Sequence, residues 1–256
     1  MQVIAETKDV LVLNKPAGLI VHSDGRTVEP SVAEWVAEKY PALANVGEPW
    51  ISPQGESIRV CGIVHRLDRT TSGVLLVVKT PEMFSYLKGE FKARRVEKTY
   101  HALVYGHVEG DSGWIVAEIA RTSESPRRWY AKPREENHPR AAITEWRVLK
   151  RFETNGEPLT YLELSPKTGR THQLRVHLAS IGHPIVADHL YAENFLAGTP
   201  ALENPSVVAK RATAPDKPAL LGFTRPALHA YSITLTLDGA REMFTAPLPH
   251  DFESVL

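Results

Sequence analysis

The chain has 256 residues, 43% of them hydrophobic, and its 30 basic and 30 acidic side chains balance to a formal net charge of zero. That length suits one large domain or two small ones, and the zero charge means that any nucleic-acid partner must be met by a local basic face. The single cysteine, Cys61, excludes an intramolecular disulfide and fits a reducing compartment. No apolar run approaches a membrane span and Met1–Lys8 lacks signal-peptide character, so a cytoplasmic protein is expected.

Val10-Leu11-Val12-Leu13 reads as the first strand. Asn14-Lys15-Pro16-Ala17-Gly18 follows as a turn, for which Pro and Gly alone suffice, and Leu19-Ile20-Val21 comes next. Ser31-Val32-Ala33-Glu34 is a capping box. Val32, Trp35, Val36 and Tyr40 then recur at helical spacing until Pro41 stops the helix. Residues 47–59 are rich in Pro, Gly and Ser and read as a loop, and Cys61 looks like a small core residue.

Val74 to Val78 is a continuous apolar run, the pattern of a strand buried on both faces. Thr70 to Gly73 supply turn chemistry ahead of it. Asp68 therefore sits on a loop that feeds straight into the core. Arg66 and Arg69 flank it, and two nearby cations favour an ionised carboxylate. A charged, positioned Asp at a sheet edge is a candidate nucleophile or base; an Asp that merely caps a turn is the alternative.

Thr80-Pro81 begins a second helix, with Pro at the first helical position and Phe84, Leu87 and Phe91 as its apolar stripe. Lys88, Lys92, Arg94 and Arg95 gather at its far end, where the helix dipole favours cations; they serve equally well to face phosphates. Residues 97–106 read as a strand on which Lys98, Tyr100, Ala102 and Val104 share a face. Residues 113–120, 127–132 and 141–152 are three further strands at hairpin-like spacing, which predicts an antiparallel meander. From Arg121 to Arg151, nine basic residues stand against four acidic ones, with Trp129 and Tyr130 among them. That is the local basic excess hidden by the net charge. It suits phosphate contact and stacking, or a sheet edge protected by charge. Leu159–Leu164 is another strand. Leu174, Leu178 and Ile181 mark a helix that closes at Gly182. Residues 192–226, scattered with Pro and Ala, read as a surface excursion with a short helix. A last strand runs from Leu228 to Leu237, and Met243–Pro247 finishes the sheet.

His65-Arg66-Leu67-Asp68 followed by Thr71-Ser72-Gly73 resembles the signature of the RluA-type pseudouridine synthases. Lys15-Pro16-Ala17-Gly18, Lys98-Thr99-Tyr100 and Leu228-His229-Ala230 resemble further motifs of that family. The string Ser165-Pro166-Lys167-Thr168-Gly169-Arg170-Thr171-His172-Gln173-Leu174-Arg175-Val176-His177-Leu178 is similar to a third motif almost residue for residue, and it is far more specific than a lone Asp loop. The match continues through residues 182–191, except that Ala187 and Ala192 stand where the usual pattern has glycine. The resemblance spans nearly the whole chain. It implies an α+β fold with a mixed, mostly antiparallel curved sheet flanked by helices and loops, forming one catalytic domain over residues 1–256. The first strand begins by Val10, so the small N-terminal RNA-binding domain of many relatives is not expected.

The resemblance also implies a reaction: isomerisation of uridine to pseudouridine within RNA, with no cofactor and no metal. Asp68 is the implied catalytic residue and Arg175 its partner; Tyr100 lies against the target base. Arg66 fills the gap left when the base leaves its stack, since enzymes acting on a base flip it out. The residues leave open whether Asp68 attacks the sugar, adds to the uracil or removes a ribose proton. A glycosidic hydrolase would need paired carboxylates, for which Asp68 and Asp188 are the candidates. A noncatalytic RNA-binding protein on the same fold is the stronger rival, and intact Asp68, Tyr100 and Arg175 weigh against it. The expected partner is a stem-loop of transfer or ribosomal RNA, bound by a monomer.

Overall fold

A computed structural model describes residues 1–23, 29–52, 55–121, 129–131, 139–192 and 221–256. In chain order the described strands are β1 (Gln2–Glu6), β2 (Val10–Lys15), β3 (Trp50–Ile51), β4 (Ser57–Ile58), β5 (Ser72–Val78), β6 (Glu97–Tyr105), β7 (Ser112–Arg121), β8 (Trp129–Ala131), β9 (Arg140–Thr154), β10 (Glu157–Pro166), β11 (Leu228–Leu237) and β12 (Ala240–Thr245). The helices are α1 (Val32–Lys39), α2 (Pro81–Lys92), α3 (Gln173–Ser180) and α4 (His250–Glu253). This is the expected α+β class. The chain forms two compact units, Met1–Lys98 with Ala230–Leu248, and Thr99–His229 with Pro249–Leu256. The boundaries fall inside β6 and β11.

In the first unit the strand order is β1-β2-β5-β11, with β12 on β11. β2 and β5 run antiparallel from Val10↔Val78 to Lys15↔Gly73. Val10 to Leu13 and Leu75 to Val78 have no exposed surface, as their unbroken apolar runs predict. Each such Val or Leu contributes about 1.5–3 kcal/mol by leaving water, which makes this pair the rigid spine of the unit. β1 precedes the expected first strand and pairs antiparallel with β2. It was not legible because its residues are mostly half-buried or exposed. α1 carries the predicted capping box: Ser31 Oγ accepts from the Glu34 N–H, and the Glu34 carboxylate accepts from the Ser31 N–H. Thr80 caps α2 by accepting the Met83 N–H on its hydroxyl oxygen. Phe84 and Leu87 are buried, while Phe91 is half-buried. Within 47–59, β3 and β4 form a two-residue antiparallel hairpin where the sequence suggests only a loop. Cys61 is buried, as expected.

In the second unit the order is β6-β10-β9-β7-β8, antiparallel at each pairing. The predicted meander is corrected in one respect: β7 lies between β8 and β9, so β9 returns on the far side of β7. Hairpin spacing specifies which strands exist, not the side on which the third one pairs. The described part of the 127–132 candidate is Trp129–Ala131; Arg127, Arg128, Lys132 and Arg134 lie outside the described residues, as does most of the predicted excursion at 192–226. α3 packs on the sheet through Ile119, Ala142 and Val176, with Trp129, Ala131 and Tyr191 at the margin. Ile181 was expected in its apolar stripe but is 39% exposed, because Gly182 turns the chain directly after it.

Residues 184–188 are pinned beside β6, with the Val186 N–H donating to the Leu103 carbonyl at 2.9 Å and the Ala227 N–H to that of Val186 at 2.9 Å. The next residue, Ala187, has φ 57°, a left-handed conformation that costs an L-residue with a Cβ about 1–2 kcal/mol. This is the position where the resembling family pattern carries glycine. Ala187→Gly is therefore expected to stabilise the protein by about 0.5–1 kcal/mol after the added flexibility of the unfolded chain is counted. Ala187→Val is expected to destabilise it; urea titration of both variants checks the pair of signs.

Candidate active site

Asp68 lies on the loop between buried Leu67 and the start of β5 and is half-buried. Thr71 donates its N–H to the Asp68 carbonyl at 3.1 Å, closing the turn that launches the strand. Gly73 has φ 115°, and a Cβ there would stand 2.1 Å from the Ala230 carbonyl oxygen. Only glycine fits, so the start of β5 is fixed against β11.

The residue that ties this loop down is Lys15, read in the sequence as part of an ordinary Pro-Gly turn. It has no exposed surface. Its ammonium donates to the carbonyls of Pro16 and Leu19 at 2.8 Å each and to that of Arg69 at 3.1 Å. The Gly18 N–H donates to the same Arg69 carbonyl at 2.8 Å. The turn after β2 and the loop of Asp68 are thus one hydrogen-bonded assembly. The available signal was a lysine closing an apolar strand directly before proline.

His65, three residues before Asp68, accepts the Leu76 N–H on Nε2 at 2.9 Å. It stacks on Phe91 with ring centroids 5.0 Å apart. Burial, aided by the charge of Lys98, pushes its pKa down to about 3, so it is a neutral, structural imidazole. Arg66 is exposed. Arg69, expected to flank the carboxylate of Asp68, instead pairs with Glu29 at 2.5 Å; an adjacent residue in sequence was drawn to a carboxylate that sequence spacing could not reveal.

In the second unit, Tyr100 is half-buried on β6. Arg175 is buried on α3 and forms a bidentate pair with fully buried Asp188: Nε to Oδ2 is 2.6 Å and Nη2 to Oδ1 is 2.7 Å. The Tyr191 ring covers the guanidinium at 5.0 Å, and its hydroxyl accepts the Trp129 N–H at 3.2 Å and lies 2.9 Å from His172 Nδ1. Gln173 Oε1 accepts from the Thr168 hydroxyl and the Arg170 N–H, and its Nε2 donates to the Ile143 carbonyl. The Thr168–His177 motif is therefore a buried polar network that locks α3 onto β9. Asp188 had been a candidate for the second carboxylate of a hydrolase. Wholly buried and engaged by Arg175, it is not placed for general acid or base work. Among the described residues no group of three or more His, Cys, Asp or Glu is arranged to hold a metal ion, and no helix is long and apolar enough to cross a membrane.

Removing one partner of a buried ion pair leaves the other charge uncompensated, at a cost of about 3–5 kcal/mol. Asp188→Ala and Arg175→Met are each expected to lose stability of that order in urea titrations. The double variant is expected to lose less than the sum.

The buried histidines give the molecule a pH dependence. Burial holds His177 at about 4 and His101 at about 4, the latter raised slightly by Glu163 and lowered by Arg147, and His65 lies lower still. An unfolded histidine titrates near 6.5. Between these limits the unfolded chain binds more protons than the folded one, so stability is full above about pH 6.5 and is lost as pH falls. Unfolding free energy measured from about pH 6.5 to 5 is expected to fall with a slope approaching three protons. A flat profile over that window contradicts neutral burial.

The sequence model of the family described as RNA pseudouridylate synthase matches residues 9–180. The chain is 32% identical over 254 residues to ribosomal large subunit pseudouridine synthase D of Pseudomonas aeruginosa, covering 98% of this chain and 69% of that one. It is 36% identical over 195 residues to the dual-specificity RNA pseudouridine synthase RluA of Vibrio vulnificus, covering 75% of this chain and 69% of the relative. The solved structure of human RNA pseudouridylate synthase domain containing 1 matches with a TM-score of 0.67 and 26% identity, over 96% of this chain and 83% of that one. The chain belongs to the RNA pseudouridylate synthase family, enzymes that isomerise uridine to pseudouridine within RNA.

Proposed function

We propose that Asp68 carries the isomerisation, with Arg66, Tyr100 and Arg175 serving the substrate and the carboxylate. The observation that carries this reading is the tether of the Asp68 loop: the backbone beside half-buried Asp68 is held between a fully buried strand and a buried lysine. A reaction that breaks the bond from ribose to the uracil nitrogen and remakes it through a ring carbon exchanges no electrons with a donor. Positioning of one carboxylate and of the base is what the protein must supply. Arg66, exposed and two residues before Asp68, fills the space of the flipped base in this reading. Tyr100 offers a ring for stacking. Arg175, its orientation fixed by Asp188 and Tyr191, orients the catalytic carboxylate.

The substrate in this reading is a uridine in or beside a short stem-loop of ribosomal or transfer RNA, acted on by a cytoplasmic monomer. RNA recognition favours loops whose bases splay out, and flipping costs least where a base is weakly paired. The name of the Pseudomonas aeruginosa relative supports ribosomal RNA, and that of the Vibrio vulnificus relative supports more than one target.

Rejoining uracil through C5 expels the hydrogen of that carbon, so release of tritium from RNA labelled at C5 reports the reaction. Asp68→Asn is expected to lower single-turnover release by at least about 100- to 10,000-fold while RNA affinity stays close to wild type. Wild-type release from that variant removes Asp68 from the mechanism.

A further inference from the structure

The β3–β4 hairpin of the first unit shows an aromatic side chain to solvent. Trp50 is 40% exposed and its neighbour Ile51 59%. A hairpin of two-residue strands gains too little from its own pairing to hold a shape, yet this one is fixed at its base and closed where Ser52 meets Glu56. At the base, the Gly62 N–H donates to the Val46 carbonyl at 2.7 Å, and the Val78 N–H of β5 donates to the Gly62 carbonyl at 2.9 Å. Gly62 has φ 74°, and a Cβ there would stand 2.2 Å from the Val78 carbonyl oxygen, so glycine alone fits. The Ser52 N–H donates to the Glu56 carbonyl at 2.9 Å, and the Ser52 hydroxyl oxygen accepts the Glu56 N–H at 3.1 Å. The exposed indole therefore stands on a support tied to the strand that follows Asp68.

Next to that indole is His22, with ring centroids 6.2 Å apart and planes tilted by 35°. His22 belongs to the segment already joined to the Asp68 loop. Four residues earlier, the Gly18 N–H donates to the Arg69 carbonyl at 2.8 Å; one residue earlier, the Val21 carbonyl accepts the Ala33 N–H of α1 at 3.0 Å. Burial, partly offset by the Ser23 carbonyl, holds the pKa of His22 below its ordinary value, and the charge of Arg66 lowers it further. Such an effect fades over a Debye length of about 8–10 Å, so Arg66 is a near neighbour of this imidazole. Trp50, His22, Arg66 and Asp68 all belong to the first unit.

We propose that Trp50, with His22 beside it, is a stacking platform for an unpaired RNA base near the flipped uridine. The platform is continuous, through His22, with the loop that carries Arg66 and Asp68. Its charges select a base over a phosphate: residues 47–60 carry two acids, Glu48 and Glu56, and one base, Arg59, all three exposed. That balance gives a phosphate no net attraction, whereas the face of any base stacks on an indole without needing a cation. Flipping one base out of a stack uncovers the faces of its neighbours, and an aromatic ring on the protein covers such a face again. This inference rests on the RNA-modifying reading above and adds a base contact to it.

The test uses the full chain and an RNA stem-loop with an unpaired, uridine-rich loop; stacking tolerates any base, so the native target is not needed. Fluorescein-labelled RNA reports affinity by anisotropy across salt concentrations. Trp50→Ala is expected to weaken binding by about 5- to 150-fold, the loss for one stacked base. The salt dependence is expected to stay the same, since indole carries no charge. Trp50→Phe keeps a ring and is expected to bind more tightly than Trp50→Ala. Unlabelled RNA is expected to quench the indole fluorescence of the wild-type chain, and Trp50→Phe to lose part of that quenching with its melting temperature unchanged. Wild-type affinity in Trp50→Ala overturns the proposal, as does quenching that is undiminished in Trp50→Phe. Self-association that Trp50→Ala abolishes while RNA affinity stays intact also overturns it, and makes the hairpin a contact between copies of the chain. Tritium release separates this inference from the enzymatic reading. Normal release with unaltered affinity in Trp50→Ala sinks the platform alone; weakened binding in Trp50→Ala with no release from any RNA sinks the enzymatic reading and leaves the platform.

Discussion

A buried ammonium is costly unless its donors are satisfied, and Lys15 satisfies its own with the backbone carbonyls of Pro16, Leu19 and Arg69. That interaction joins segments 54 residues apart in sequence. The turn after β2 and the loop before β5 cannot move independently, because the same Arg69 carbonyl also receives the Gly18 N–H. The register Lys15↔Gly73 sets where both segments leave the sheet. Gly73 in turn admits no side chain against Ala230. Asp68 is held by strand pairing on one side and by the lysine on the other, so a short polar loop acquires the rigidity of the core that flanks it.

Local features were legible in the sequence and long-range ones were not. The apolar run 74–78, the Ser31–Glu34 capping box, the Thr80-Pro81 helix start and the Gly182 helix end each depend on neighbours within a few residues, and each stands as read. The placement of Asp68 on a loop ahead of a buried strand was legible for the same reason, whereas its role came from the family resemblance of the surrounding motif. Lys15 was not, because a lysine beside Pro and Gly reads as a solvated turn and its burial is set by a distant loop. Arg69 pairs with Glu29 and Asp188 with Arg175, two ion pairs that sequence spacing does not encode. The side of β7 on which β9 pairs is likewise a matter of packing against α3, through Ile119, Ala142 and Val176.

The charge balance conceals an uneven distribution. Pairs such as Arg147–Glu163, Arg241–Glu97 and Lys79–Glu6 occupy the surface, where each contributes about 0–1 kcal/mol. Their larger effect is to remove cations from the pool that meets an anionic partner. Inside, Arg175 and Asp188 meet through two hydrogen bonds, while His65, His101 and His177 stay neutral because burial pushes their pKa values down. The interior is therefore set for neutral pH, with a fixed arginine and uncharged imidazoles.

The central claim is that Lys15 acts as a positioning residue and holds the Asp68 loop where uridine isomerisation requires it. The most direct measurement combines the single-turnover rate of Lys15→Met at saturating RNA with amide hydrogen exchange at Gly18, whose N–H is bonded to Arg69. The account predicts faster exchange at Gly18 and a lower chemical rate with RNA affinity unchanged. A wild-type rate alongside a freely exchanging Gly18 amide would contradict it.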